Sequence, residues 1–374
     1  MQFLSDRGID LVVAVSVIVF LGCISGFLLF RKNTVPESTE TYIKDERISV
    51  IIPARNEEAN LPQLLSSLLS QRYQPDEIIV VDDGSEDRTR EIAMSYGVKV
   101  VDNPELPAGW TGKTWAVWNG FLHSSGDLIV FLDADIRMDP HALESLLGLR
   151  KQCGGVISVV PYHYTEKLYE RLAMVANILG VFAFTSPFER KSKQKGLYGS
   201  CIITTRVDYE AIQGHDSIKA EVLDDLNLGA RYRAAGIPVT NFLGQGLVSF
   251  RMYPNGIKSE LQGFGKGAVL STSKLAAPTI VLVALWLIGL IVAESTVIFW
   301  DSSWFYAALI GYVLYTMQIF YLIKYVGKFG KLMPILHILS TLFFLIVMLY
   351  SAYQVIFLGS VSWKGRAIQV RGRS

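Results

Sequence analysis

GDLIVFLDADIRMDP, Gly126 to Pro140, drives five apolar residues in a row, Leu128 to Leu132, straight into two carboxylates, Asp133 and Asp135. An unbroken apolar run of that length fits a strand covered on both faces, the kind found in parallel sheets flanked by helices. The pattern recurs upstream. Ile48 to Ile52 reads as a strand ended by Pro53, and Asn60 stands as an N-cap before Leu61, Leu64, Leu65, Leu68 and Leu69, whose spacing gives a helix with one buried face. Ile78 to Val81 is the next strand. A helix from about Asp87 to Tyr96 closes at Gly97, a third strand covers Val98 to Val101, and a helix over Lys113 to His123 leads into the quoted strand. Repeated β-α-β predicts an α/β domain with a mostly parallel sheet over residues 43–273.

Composition adds a second compartment. The chain has 374 residues, a formal charge of +1, 51% apolar and only 18% charged residues, and a mean hydropathy of +0.33. So small a net charge makes no field that gathers nucleic acid, which is not expected as a partner. The apolar excess predicts residues that face lipid. Cys23, Cys153 and Cys201 are widely spaced, which excludes a disulfide framework and a structural zinc pattern.

Leu11 to Phe30 holds no charged residue and is followed at once by Arg31 and Lys32. It is long enough to cross a bilayer core of about 30 Å. Basic residues after the apolar run, with none of the order of a cleaved signal, predict an uncleaved anchor over 1–32 whose C-terminal end is cytoplasmic. Leu275 to Ala293, Ser302 to Ile323 and Leu332 to about Leu358 are three further candidates, within a membrane region over 275–358. The connector with Lys324, Lys328 and Lys331 is expected in the cytoplasm, and the one with Glu294 and Asp301 outside. The basic tail over 359–374, with Lys364, Arg366, Arg371 and Arg373, then conflicts with a full fourth crossing. Either the last segment re-enters or another lies in the interface; charge bias keeps the tail, like the catalytic domain, on the cytoplasmic side of a multi-pass cell membrane protein. Leu168 to Phe184, followed by Arg190, Lys191, Lys193 and Lys195, fits a helix on the membrane surface and equally one packed under the sheet.

In an open parallel sheet, ligands bind beyond the carboxyl ends of the strands. Three such ends are polar here: PARNEE (Pro53 to Glu58), DDGSEDRT (Asp82 to Thr89) and DAD (Asp133 to Asp135). Strand periodicity puts Asp133 and Asp135 on one side, where they can share a hard cation such as Mg²⁺ or Mn²⁺ that also takes phosphate oxygens. An isolated Asp-x-Asp also serves as a plain turn; a second acidic strand end, Asp82 and Asp83, favours a ligand crevice, with one Asp accepting from a nucleotide base or ribose. GWTGKTWAVWNG (Gly109 to Gly120) offers Lys113 near a helix start as a charge for phosphate; Trp115 and Trp118 fall at helical spacing and read as packing. Asp224 and Asp225 open a helix. One caps it, and the other is a candidate general base. Cys201 heads an apolar run and reads as a buried inert thiol, His163 and His215 as structural histidines.

PARNEE, VVDDGSEDRT, LDAD and the downstream LDDLNLG, in this order and spacing, resemble the GT-A glycosyltransferases of family 2 over about Ile48 to Ala235. GWTGK, FRMY (Phe250 to Tyr253) and WKGR (Trp363 to Arg366) are similar to its bacterial carotenoid-pathway branch. The resemblance implies a GT-A domain between membrane helices, with a UDP-sugar, UDP-glucose above all, as donor. It implies that Pro53, Ala54, Arg55 and Glu57 line the nucleotide pocket and that Asp83 meets the uracil; Asp82 and Lys113 stand with them as donor-binding candidates. Asp133, Ala134 and Asp135 would carry the cation on the diphosphate, and Asp225, or its neighbour Asp224, the base of an inverting displacement. Gly199, Ser200, Arg251, Trp363 and Arg366 fall on the acceptor or membrane side. The implied acceptor is lipophilic and drawn from the bilayer, a C30 carotenoid acid ahead of a hopanoid, sphingoid or glycerol lipid. FRMYPNG lacks the Gln-x-x-Arg-Trp of processive synthases, which argues against polymer extrusion. The competing class is a nucleotide-sugar-binding transport subunit; the absence of opposed midplane charges and of an inverted repeat in the apolar segments stands against it.

Overall fold

The computed structural model describes residues 2–37, 46–190, 192, 196–221, 223–265, 275–363 and 366–369, with side chains between 9 and 359. After a long helix α1 (Gln2–Leu29), strand and helix alternate as β1 (Ile48–Ala54), α2 (Leu61–Leu69), β2 (Glu77–Asp82), α3 (Thr89–Ser95), β3 (Lys99–Asp102), α4 (Gly112–Leu122) and β4 (Leu128–Leu132). Then come β5 (Ile136–Met138), α5 (Ala142–Cys153), β6 (Val156–Val160), β7 (Tyr162–Tyr164), α6 (Met174–Thr185), β8 (Cys201–Thr205), α7 (Arg206–Ala211), α8 (Asp224–Ala234), β9 (Val239–Leu243), β10 (Val248–Phe250) and α9 (Ile257–Gly265). The remainder is α10 (Ala277–Glu294), α11 (Phe305–Val326), β11 (Gly327–Lys328), α12 (Leu332–Ile335), α13 (His337–Tyr353) and a hairpin of β12 (Ser360–Trp363) and β13 (Arg366–Gln369).

The main sheet has the order β3-β2-β1-β4-β8-β6-β9. It is parallel except at β8, which runs antiparallel to β4 and β6. β1 does not end at Pro53: it pairs with β2 as far as Ala54, while its pairing with β4 stops at Ile51. On that side no ladder bond is asked of residue 53, so the missing proline N–H costs nothing there. The sheet has two apolar faces. Ile48, Val50 and Ile52 pack with Leu61, Leu64 and Leu146 on one, Ile51, Ile79 and Val81 with Ala116, Val117 and Phe121 on the other. Gly120 sets how close α4 lies, because a Cβ there would fall 2.5 Å from Ile51 Cγ2 and 2.8 Å from Val81 Cγ2.

From β1 the chain builds outward through β2 to β3, then passes back over both to place β4 on the other side of β1. Strand order therefore reverses between β1 and β4, and a crevice opens at their carboxyl ends, the place where ligands bind in such sheets. A smaller sheet, β11-β7-β10-β5, adjoins it.

α6 lies between the sheet and the apolar helices: Met174, Val175, Ile178 and Phe182 share a core with Val160 and Leu243 above and Trp286, Leu290, Tyr315 and Ile319 below. Of the two placements open for Leu168 to Phe184, packing under the sheet is the one found. Among the described residues five stretches, Ile9–Leu29, Tyr169–Glu189, Ala277–Val297, Phe305–Val326 and His337–Leu358, are long and apolar enough to cross a membrane. α1 and α10 touch through glycines, with Gly289 Cα only 2.9 Å from where a Gly22 Cβ would stand.

Two expectations need correction. The segment Leu332 to Leu358 is not one helix, because the chain breaks at Leu336, two residues after Pro334, between α12 and α13. Glu294 is not in an open connector; it is 5% exposed and accepts hydrogen bonds from Thr341 Oγ1 at 2.7 Å and from His337 Nδ1 at 2.6 Å. A carboxylate among apolar helices is retained only with partners such as these. At its other end α13 places Tyr350 against Gly265 of α9, so the last segment returns to the α/β domain. The connector holding Lys328 joins that domain too, through pairing of β11 with β7. The domain limits 43 and 273, Lys191, Lys193, Lys195, Lys364, Arg371 and Arg373 lie outside the described residues.

Candidate active site

The crevice holds a cavity of about 250 Å³ lined by Pro53 and Ala54 at the end of β1, Arg55 and Glu57 after it, Asp83 just after β2, Lys113 from α4, Asp133, Ala134 and Asp135 after β4, and Ser200. A small adjoining void is lined by Lys113 and Asp133 again, with Gly199, His215, Asp224 and Asp225. Pro53, Lys113 and Asp133 are thus the shared wall between a larger and a smaller compartment.

The first two loops are stitched together. Asn56, in the left-handed region at φ 52°, accepts from the Glu86 N–H at 2.9 Å and donates its own N–H to Ser85 Oγ at 3.1 Å. The Glu57 N–H donates to Thr89 Oγ1 at 2.8 Å, and Arg55 reaches the Asp83 carbonyl at 2.7 Å. Asn60 precedes α2 as expected, but its side chain donates to Glu57 Oε2 at 2.9 Å and caps no helix N–H. Asp82 and Asp83 are both buried and have separate places: Asp83 lines the cavity and accepts from Asn103 at 2.8 Å, whereas Asp82, last in β2, accepts the Ser85 N–H at 3.2 Å and is not among the lining residues.

Asp133 and Asp135 share the cavity, but in a turn and not along a strand: β4 ends at Leu132, and Ile136 N–H closes on the Asp133 carbonyl at 3.2 Å. Lys113 Nζ stands 2.8 Å from Asp133 Oδ1, the two side chains 21% and 27% exposed. Burial works against its charge, yet Asp133, Asp224 and Asp225 together outweigh that and raise its pKa. The Asp225 carboxylate is fixed by two backbone donors, Gly199 N–H at 3.1 Å and Leu226 N–H at 2.9 Å; Asp224 beside it is buried.

Other candidates fall elsewhere. Arg251 is not among the residues lining either cavity: its guanidinium binds Glu166 at 2.6 Å and the fully buried Glu170 at 2.8 Å, while its N–H meets the Asp135 carbonyl at 3.3 Å. It braces the DAD turn from behind. Trp363 and Arg366 pair across the β12-β13 hairpin by their backbones; their side chains are outside the described residues. Burial and the nearby Asp133 charge push the Cys201 thiol up to about 12, so no thiolate is available at neutral pH. His215 is held uncharged by burial, down to about 4, and is bonded to the Tyr209 hydroxyl at 2.7 Å. His163 packs between Phe250 and Phe329.

The model of "Glycosyl transferase family 2" matches residues 49–212. A 4,4'-diaponeurosporenoate glycosyltransferase of Staphylococcus haemolyticus is 35% identical over 370 residues, 94% of this chain and 96% of that protein. The chain belongs to glycosyl transferase family 2. A Staphylococcus aureus protein of the same name is 31% identical, over 95% of this chain and 97% of its own. Among solved structures, the mannosyltransferase PcManGT from Pyrobaculum calidifontis, in complex with GDP-Man and Mn²⁺, superposes with a TM-score of 0.56 at 15% identity, over 93% of this chain and 98% of its own, which shows the same GT-A fold.

In this family 2 glycosyltransferase the donor set suits a divalent cation: two hard carboxylates, Asp133 and Asp135, line one cavity, and the Lys113 ammonium already sits where positive charge is favoured. Among the described residues no group of three or more His, Cys, Asp or Glu could hold a metal unaided. Reading the sequence missed the opposite wall, Met252 to Asn255 with Ser259 and Gly263 of α9. The signal was there: FRMYPNG is a strand end too, with a Pro-Asn-Gly turn, and only its arginine was singled out.

Proposed function

We propose that this protein moves a glucosyl residue, with inversion, from UDP-glucose to the carboxyl group of a C30 carotenoid acid at the bacterial cytoplasmic membrane. What carries the assignment is the placement of strand-end carboxylates and Lys113 around a cavity that adjoins the void holding Asp225 and whose far wall, α9, rests through Leu261 and Phe264 on Phe343 and Val347 of the apolar α13. A polar donor site and an apolar helix thus share a wall. The names of the two staphylococcal relatives, over nearly the whole chain, supply the acceptor class.

Pro53, Ala54, Arg55, Glu57 and Asp83 would hold the nucleotide, and Asp133 with Asp135 the cation. A divalent cation bound there supplies charge for the departing diphosphate. Lys113 is placed to transfer its charge from Asp133 to a phosphate oxygen. An acceptor oxygen attacks the anomeric carbon from the side opposite the diphosphate; the bond to the β-phosphate oxygen breaks, and UDP leaves with the electron pair. A carboxylate acceptor brings no proton to remove, while a hydroxyl acceptor gives its proton to Asp225. The basic segment ends and the apolar helices α1, α10, α11 and α13 suit a multi-pass protein with 43–273 as its cytosolic domain. Purified protein given UDP-glucose should release UDP when a polyene acid is supplied in lipid; a transport subunit would release none under any condition.

A further inference from the structure

Tyr253 is one of three non-glycine residues in the left-handed region, at φ 53° among the described residues. It lines the same cavity as Asp133, Asp135 and Lys113. Such a backbone persists only where the surroundings impose it, and here they do. On one side Arg251 is clamped by Glu166 and Glu170; on the other the Tyr253 carbonyl accepts from the Tyr169 hydroxyl at 3.0 Å, and that hydroxyl accepts the Gly256 N–H at 2.9 Å. The ring lies directly on the backbone of α9 at Gly263. A Cβ at residue 263 would stand 2.0 Å from Cζ, 2.1 Å from Cε1 and 2.3 Å from the hydroxyl oxygen, so only glycine admits it. Phe264 meets the ring edge-on at 5.4 Å.

This much restraint serves a hydroxyl for which no protein hydrogen bond is found among the described residues. Burial, with Asp135 and Asp133 next, raises the phenol pKa, so the group is a neutral O–H donor throughout the working range. It lines the cavity with Asp133, which the Lys113 ammonium already pairs at 2.8 Å, and a phosphate oxygen of a ligand in that cavity would give the hydroxyl an acceptor. On the nucleotide-sugar reading above, we infer that Tyr253 donates a hydrogen bond to a diphosphate oxygen of the donor and holds it through departure.

The test is calorimetric binding of UDP and of GDP, with Mn²⁺, to the purified full chain as wild type, Y253F, G263A and the double variant. Y253F keeps the ring in its notch and deletes only the donor. It should weaken binding of whichever nucleotide the wild type takes by about tenfold, the scale of one hydrogen bond to a charged group, with the melting temperature unchanged. G263A expels the ring and should weaken binding as much; adding Y253F to it should cost nothing more. Unchanged affinity in Y253F overturns the inference while leaving the glycosyltransferase intact. A wild type that binds neither nucleotide overturns the donor reading and this inference together.

Discussion

Asp225→Asn separates acceptor chemistry from fold. The carboxylate is held by Gly199 N–H at 3.1 Å and Leu226 N–H at 2.9 Å. An amide keeps one accepting oxygen, so one of these bonds is lost, about 1 kcal/mol of local order at a part-buried position. Lys113 retains its 2.8 Å pair with Asp133, so the neighbouring wall stays in place. The chemical consequence depends on the acceptor. A hydroxyl needs a base, and removing one costs about 10²- to 10⁴-fold, or roughly 3–5 kcal/mol of barrier. A carboxylic acid titrates near pH 4 to 5 as an ordinary group, about where side-chain carboxyls do, and reaches the site already ionised. Initial rates of UDP release should therefore fall no more than about threefold with the C30 polyene acid, the scale of one weak hydrogen bond, and at least about a hundredfold with the corresponding polyene alcohol. Equal losses with both acceptors would refute the reasoning and make Asp225 a purely positional residue.

Other perturbations follow from the same distances. Lys113→Met removes the charge shared by both compartments and should lower kcat/KM for UDP-glucose by about ten- to a hundredfold, the scale of one or two charge-assisted bonds, with normal folding by circular dichroism. Gly199→Ala would bring a Cβ to 3.0 Å from Asp225 Oδ2; displacing that carboxylate by about half an ångström should cost about tenfold with an alcohol acceptor and little with the acid. Glu260 is 1% exposed with its Oε2 unpartnered, and burial, then Glu170, pushes its pKa up to about 8. The folded state thus keeps a proton that the unfolded chain releases near its ordinary pKa, so the penalty is absent below about pH 4.5, grows as pH rises from there to about 8, and is full and constant above that. Glu260→Gln should raise the melting temperature at pH 9, by on the order of 1–3 kcal/mol of stability, and change nothing at pH 4.

The parallel core was legible because its strands are unbroken apolar runs and its helices repeat every three or four residues. The crevice was legible for the same reason: once strand order is granted, Pro53 and Asp133 must lie at neighbouring carboxyl ends. Side-by-side carboxylates were harder. Asp82 and Asp83 differ only in which one ends β2, and the last strand position turned Asp82 to the Ser85 N–H while Asp83 took the cavity. The second sheet was illegible, since β5, β7, β10 and β11 have two or three residues each, too few for a period to register. The bracing of the DAD turn by Arg251 was not legible, because its partners Glu166 and Glu170 stand about eighty residues away in the chain and come near only by tertiary packing.

The central claim is metal-assisted sugar transfer to a polyene acid, and mass spectrometry of pigment from a host that makes 4,4'-diaponeurosporenoic acid tests it most directly. With the wild-type protein the acid should gain the mass of one hexose, and with Asp135→Ala it should not. Unmodified acid in the wild-type host, from protein that still releases UDP with another lipid, would contradict the acceptor assignment; a hexose gained equally with Asp135→Ala would contradict the cation site.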